Sequence, residues 1–118
     1  MDNYSLALGE VFFALGDPTR RAIVRRLAEG ASAVSELAAH FSMALPSFMK
    51  HLHVLERAGL IRSTKTGRTR TCVLKQGALD DAEHWLAQQR IIWEARADRM
   101  STYVEQLQQQ RKKNHGYE

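Results

Sequence analysis

Seven cationic side chains, Lys50, Arg57, Arg62, Lys65, Arg68, Arg70 and Lys75, fall within residues 43–75 against a single acid, Glu56. The rest of the chain holds ten basic and twelve acidic residues, so the whole net charge of +4 comes from this third. Lysine and arginine concentrated on one surface are suited to a polyanion, because neutralising phosphates releases their condensed counterions. The same charges could also be a solvated face, so the pattern around them decides. Catalysis has little to work with. Asp17, His51, His53 and Cys72 are the only plausible reactive side chains, and no spacing joins a nucleophile to an orienting base and an oxyanion site. The chain is therefore read as a non-enzyme. One cysteine permits neither an intrachain disulfide nor a zinc site built on two thiolates, which fits a reducing compartment.

The elements that would carry these charges follow from spacing. In 118 residues there is room for one folded domain, and 44% hydrophobic with 25% charged side chains is the composition of a soluble one. No apolar run approaches the roughly 20 residues of a membrane span, and Asp2 stands where a signal peptide would be basic. The expectation is a cytoplasmic protein with no membrane partner. Leu8, Val11, Phe12 and Leu15 recur at helical spacing. Asp17-Pro18 then reads as an N-cap followed by a proline at the first helical position, which opens a second helix ending near Ala28 and Gly30. Ala22, Ile23 and Leu27 form its inner face, and Arg20, Arg21, Arg25 and Arg26 read as solvated.

A third, two-turn helix is expected over about Val34 to His40, with Val34, Leu37, Ala38 and Phe41 inward. Pro46 fits the opening turn of a fourth, running to Ala58 before Gly59. Its 3, 4, 3 spacing places Leu45, Phe48, Leu52 and Leu55 in the core, and at about 100° per residue Pro46, Ser47, Lys50, His53 and Arg57 point outward. Two short helices joined by a tight turn suggest a helix-turn-helix. From Leu60 to Lys75 the period changes to two, so Thr66 and Gly67 are expected between two strands whose tip is flanked by Lys65 and Arg68. A basic hairpin in this place is the wing of a winged helix. From about Ala78 to Gln110 the chain has neither glycine nor proline and should be one helix longer than the domain is wide. Leu79, Ala82, Leu86, Trp93, Met100, Tyr103 and Leu107 line it, interrupted by Gln89 and Arg96 and broadened by Trp85 and Ile92. A second copy is the preferred cover for this stripe over intrachain packing of the tryptophans. The fold class expected is mainly α with a small β-hairpin: a three-helix winged core, a wing and a long last helix. Residues 1–110 are read as a DNA-binding and dimerisation domain and 111–118 as a flexible basic tail.

With ALGDPTRR over residues 14–21, LPSFMKHLHVLERAGLIR over 45–62 and TGRTRTCVL over 66–74, the chain resembles the ArsR family of winged-helix repressors over nearly all of residues 8–100. The resemblance implies a homodimer held by the first and last helices, here through Leu8, Phe12, Trp85, Trp93 and Met100. It implies a palindromic double-stranded DNA operator and release by a signal or small-molecule effector that the residues do not name. Carried over by position, the reading helix covers Pro46 to Arg57. The DNA-facing set is then Ser47, Met49, Lys50, His51, His53 and Arg57, with Lys65, Arg68 and Arg70 from the wing. The match departs at Ala44 and Met49, where serine is frequent, and at Leu45, where glutamine is frequent. Met49 is read either as a contact to thymine methyl groups or as a packing residue, and His51 likewise as DNA-facing or packed. The paired cysteines of arsenic-responsive relatives are absent from residues 31–41. Asp80, Asp81, Glu83 and His84 offer half of a zinc-type set, while the positions three turns on hold Ile91, Ile92, Trp93, Glu94 and Ala95. Those acids read better as helix-dipole partners, Cys72 as a small hydrophobe, and neither metal nor cofactor is expected. Trp85, Trp93, Phe12 and Phe13 are read as core packing over the lining of an effector cavity. The competing function is a winged helix used to dock an acidic protein or RNA.

Overall fold

Asp17 sets the first corner of the fold. Its carboxylate accepts the backbone N–H of Arg20 at 3.0 Å, and Pro18 occupies the first helical position, so helix α2 (Pro18–Leu27) starts immediately after α1 (Asn3–Leu15). In this computed structural model, residues 3–115 are described; Asp2 and positions 116–118 of the basic tail lie outside them. The chain continues through β1 (Ser32–Ala33), α3 (Val34–Ala38), α4 (Leu45–Arg57), β2 (Ile61–Thr66), β3 (Thr69–Leu74) and α5 (Gln76–His115). It divides into two units, Met1–Glu83 and His84–Glu118, with α5 crossing the division as a continuous helix.

In the first unit, α4 packs against α1, α2 and β2, and its core side chains are Phe48, Leu52 and Leu55. Val11 and Ala14 of α1, Ile23 and Leu27 of α2, Leu37 of α3, and Leu60, Ile61 and Cys72 from the hairpin fill the space around them. The Phe41 ring lies 5.5 Å from that of Phe48, which fastens the turn between α3 and α4 to the body of α4. Leu45 departs from expectation: it is 59% exposed. Helical spacing fixes the angle of a side chain but not how far the neighbouring element extends, and Leu45 is the first residue of α4, where the core no longer covers it.

The three-stranded antiparallel sheet has the order β1-β3-β2. β1 has no counterpart in the sequence pattern, since two residues carry no readable period. It pairs Ser32 with Cys72 and Ala33 with Thr71, tying the start of α3 to the hairpin. Thr66 pairs with Thr69, so the two turn residues are Gly67 and Arg68 rather than Thr66 and Gly67. Gly67 has φ +64 while Arg68 does not have positive φ, the pattern of a type II′ turn, which requires glycine at its first central position. Arg68 consequently stands at the tip of the wing.

The last helix is longer than expected, running unbroken through residues 111–115 of the stretch read as a flexible tail. In the second unit Trp93, Met100, Ile91, Tyr103 and Leu107 are exposed, so core packing does not explain Trp93. Phe13 of α1 is also exposed, at 67%, and is not a core residue either. Among the described residues no helix is long and apolar enough to cross a membrane.

Replacing Asp17 with alanine is expected to lower stability by about 1 kcal/mol, measured by chemical denaturation. The backbone hydrogen bond from Arg20, with the charges of Arg20 and His51 nearby, holds the Asp17 carboxyl below its ordinary value of 3.8 against the opposing effect of burial. A carboxyl whose folded value is lowered contributes fully above its ordinary value. That contribution is lost as pH falls from 3.8 through the lowered value, so the two proteins should converge in stability under strong acid.

Candidate nucleic-acid interface

Once Phe48, Leu52 and Leu55 are fixed inward, the opposite side of α4 is set by geometry. Ser47, Lys50, His53 and Arg57 are exposed there, as are Lys65, Arg68 and Arg70 on the wing. Helix α4 and the hairpin therefore present cations from two adjoining elements of one unit. No side chain caps the first turn of α4, which leaves its backbone N–H groups and the positive end of its dipole on the same side as Ser47 and Lys50.

The cations are not equivalent. Arg70 donates through Nη1 to Ser63 Oγ at 3.1 Å, and the Ser63 hydroxyl donates to Glu56 Oε1 at 3.2 Å. The one acid of the basic segment is thus used to strap the wing to α4, and it partly offsets Arg70. Arg57 lies 3.8 Å from Glu10 of α1, an exposed pair of small energetic weight. Among the described residues Lys50, Lys65 and Arg68 enter no salt bridge comparable to that pair, and these three are the most available positive charges of the predicted set. Neither Ser63 nor Glu56 stands out in the sequence as a site residue; only the antiparallel register brings residues 63 and 70 to one face.

His51 is turned toward the α1–α2 corner, with its side chain 23% exposed. Arg20 reaches it at 3.2 Å from Nη1 to Nδ1. The same Nδ1 lies 3.9 Å from Asp17 Oδ2, so His51 sits between the Arg20 guanidinium and the carboxylate that caps α2. The same arginine donates Nε to the Ala14 carbonyl at 2.7 Å and Nη2 to the Phe13 carbonyl at 3.1 Å, while Arg21 donates to the Leu15 carbonyl at 2.8 Å. Two arginines read as solvated therefore cap the C-terminus of α1, and Arg20 links that cap to α4. Met49 is 37% exposed on the opposite flank, bordering a cleft of about 250 Å³ between α4 and the hairpin that also touches His53, Ser63 and Arg70.

Cys72 lies at the base of that cleft, fully buried. Burial, with the Glu56 charge, pushes its thiol above the ordinary 9.0, although Arg70 pulls the other way. At neutral pH it is a packed thiol. A thiol reagent should leave native protein unmodified and label Cys72 stoichiometrically after denaturation; rapid labelling of the native protein would contradict its placement. Among the described residues no three His, Cys, Asp or Glu side chains cluster as a metal ion requires.

Residues 15–64 match the model of a helix-turn-helix domain, from the α1–α2 corner to the middle of β2. The chain is 33% identical over 79 residues to the transcriptional repressor SdpR of Bacillus subtilis, covering 67% of this chain and 88% of that one. It is 52% identical to an ArsR family transcriptional regulator of known crystal structure, with a TM-score of 0.74 and coverage of 80% of this chain and 97% of that one. The chain belongs to the ArsR family of transcriptional regulators. An ArsR-like regulator from Rhodococcus sp. RHA1 is also similar in structure, at 28% identity and a TM-score of 0.73, over 81% of this chain and 91% of that one. ArsR membership accounts for the winged helix-turn-helix and makes the chain a DNA-binding regulator rather than an enzyme.

Proposed function

We propose that this ArsR family member is a cytoplasmic homodimeric repressor that binds a palindromic operator and leaves it on a signal. The observation that carries the DNA part is the joint exposure of Lys50 on α4 and Lys65 and Arg68 on the wing, on two elements strapped together by Glu56, Ser63 and Arg70. In this reading Lys50, Lys65 and Arg68 meet phosphate and fix the register. Ser47, Met49 and His53 approach base edges, Arg57 and Arg70 assist from the margins, and His51 serves as the bonded pivot between α4 and α1. The likeness to a repressor in Bacillus subtilis supports repression over activation.

Pairing of two copies is supported by the second unit. Leu86, Trp93, Met100 and Leu107 are exposed and recur every seven residues, the spacing of a helix seam that another helix covers. Such a seam exposed over three heptads is costly in water, and a second copy offers the same surface by symmetry. On α1, Leu6, Phe12 and Phe13 are exposed and suit the same role, whereas Leu8 is 7% exposed and has little surface left to give. Trp85 is half-buried and adds only its margin.

Sedimentation together with gel shifts against the DNA flanking its gene tests the proposal. A dimer is expected, with affinity falling about 10³ to 10⁵ between 50 and 200 mM salt for roughly 6 to 10 phosphate contacts. A monomer, or binding indifferent to salt, would contradict it. Docking to an acidic protein with no affinity for duplex DNA would favour the winged-helix interaction module instead.

A further inference from the structure

We propose that Leu45 and Met49 form an apolar edge of the reading helix that recognises the 5-methyl groups of thymine in the major groove. This rests on the DNA-binding reading above and names what one part of that surface detects. Leu45 is the first residue of α4 and is 59% exposed; Met49 follows one turn later at 37%. Residues four apart lie on the same flank of a helix, so the two form a continuous apolar strip. It is distinct from the core stripe of Phe48, Leu52 and Leu55.

The strip is placed where its occupant can be argued from chemistry. It lies on the first half of a helix whose outward side carries Lys50 and Arg57, next to a hairpin carrying Lys65 and Arg68, so charge complementarity favours a duplex over an apolar protein patch. Of the groups displayed on major-groove base edges, the thymine methyl is the one that prefers carbon to a hydrogen-bond partner. Leucine and methionine cannot read a guanine or adenine edge, and a purine edge opposite them would lose water without a replacement partner. Met49 borders the cleft beside the hairpin and has an unbranched, adaptable side chain, so it can follow a methyl group whose position shifts with local groove width.

The test uses the full chain and the duplex that it binds best from a random-sequence pool. Each thymine in turn is replaced with deoxyuridine, which keeps pairing and the O4 acceptor and deletes only the methyl group. Affinity is expected to fall about four-fold per methyl removed at one or two positions in each half-site and to be unchanged elsewhere. Leu45→Ala and Met49→Ala should each abolish the sensitivity at one of those positions, whereas Met49→Leu should retain it. Both residues are exposed, and unchanged circular dichroism verifies that the variants fold. Wild-type binding that is indifferent to deoxyuridine at every position would overturn the proposal while leaving the DNA-binding reading intact, and would point the strip toward a protein. Absence of any selected duplex would overturn both.

Discussion

Replacing Trp93 with glutamate should convert the proposed dimer to monomer and weaken operator binding by about 10² to 10⁴-fold. The loss arises because the second half-site then binds as an independent encounter rather than at the high effective concentration set by the first. Trp93 is 71% exposed, so the substitution removes no core packing, and the circular dichroism of the variant should match that of the wild type. Sedimentation reads the dissociation, and a gel shift over a range of protein concentrations reads the weakened affinity. A Trp93→Glu protein that stays dimeric would place the interface elsewhere.

The second large effect concerns the free cations. Lys50→Ala combined with Arg68→Ala removes four charges from a dimer, two from reading helices and two from wing tips. If each meets a phosphate, the slope of log affinity against log salt should become shallower by about 0.9 for every phosphate no longer neutralised, and binding at low salt should weaken at all sequences alike. The dimer and its thermal stability should be unchanged, since both side chains are exposed. Arg70→Ala is expected to flatten the slope less, because Arg70 already donates to Ser63 Oγ and through it faces Glu56. An equal effect from Arg70 would mean that the strap opens on DNA.

Much of this arrangement is legible from residue types. Asp17-Pro18 marks a helix start because only certain side chains satisfy the free donors of a first turn, and the structure shows that hydrogen bond. The alternation through Thr69, Thr71 and Val73 gives a strand, and Gly67 gives a hairpin tip with only its turn partner misjudged. The features that are not legible share a physical cause, namely dependence on a neighbour far away in sequence. Leu45 has the helical angle of a half-buried residue but lies beyond the reach of the core. Arg20 looks like a solvated charge until α1 ends beside it with carbonyls to cap, and until His51 arrives from thirty-one positions away. The Glu56–Ser63–Arg70 strap needs the strand register before it exists. Two-residue β1 forms only because β3 offers an open edge.

The interface asks of each side chain a finer distinction than charge. Lys50, Lys65, Arg68 and Arg70 look alike in sequence, yet one of the four is already held by an internal hydrogen bond. The same holds for the flanks of α4. His51 is drawn toward α1 by an arginine, while Leu45 and Met49 are left outward, so exposure along α4 does not follow polarity alone.

Footprinting on the DNA that flanks the gene tests the central idea most directly, namely that paired copies of one cationic face grip a palindrome. Two protected patches of related and inverted sequence are expected on one face of the duplex, centred roughly 10 base pairs apart, because two reading helices must enter successive major grooves. A single protected patch without inverted symmetry, or protection spread evenly along the duplex, would contradict it.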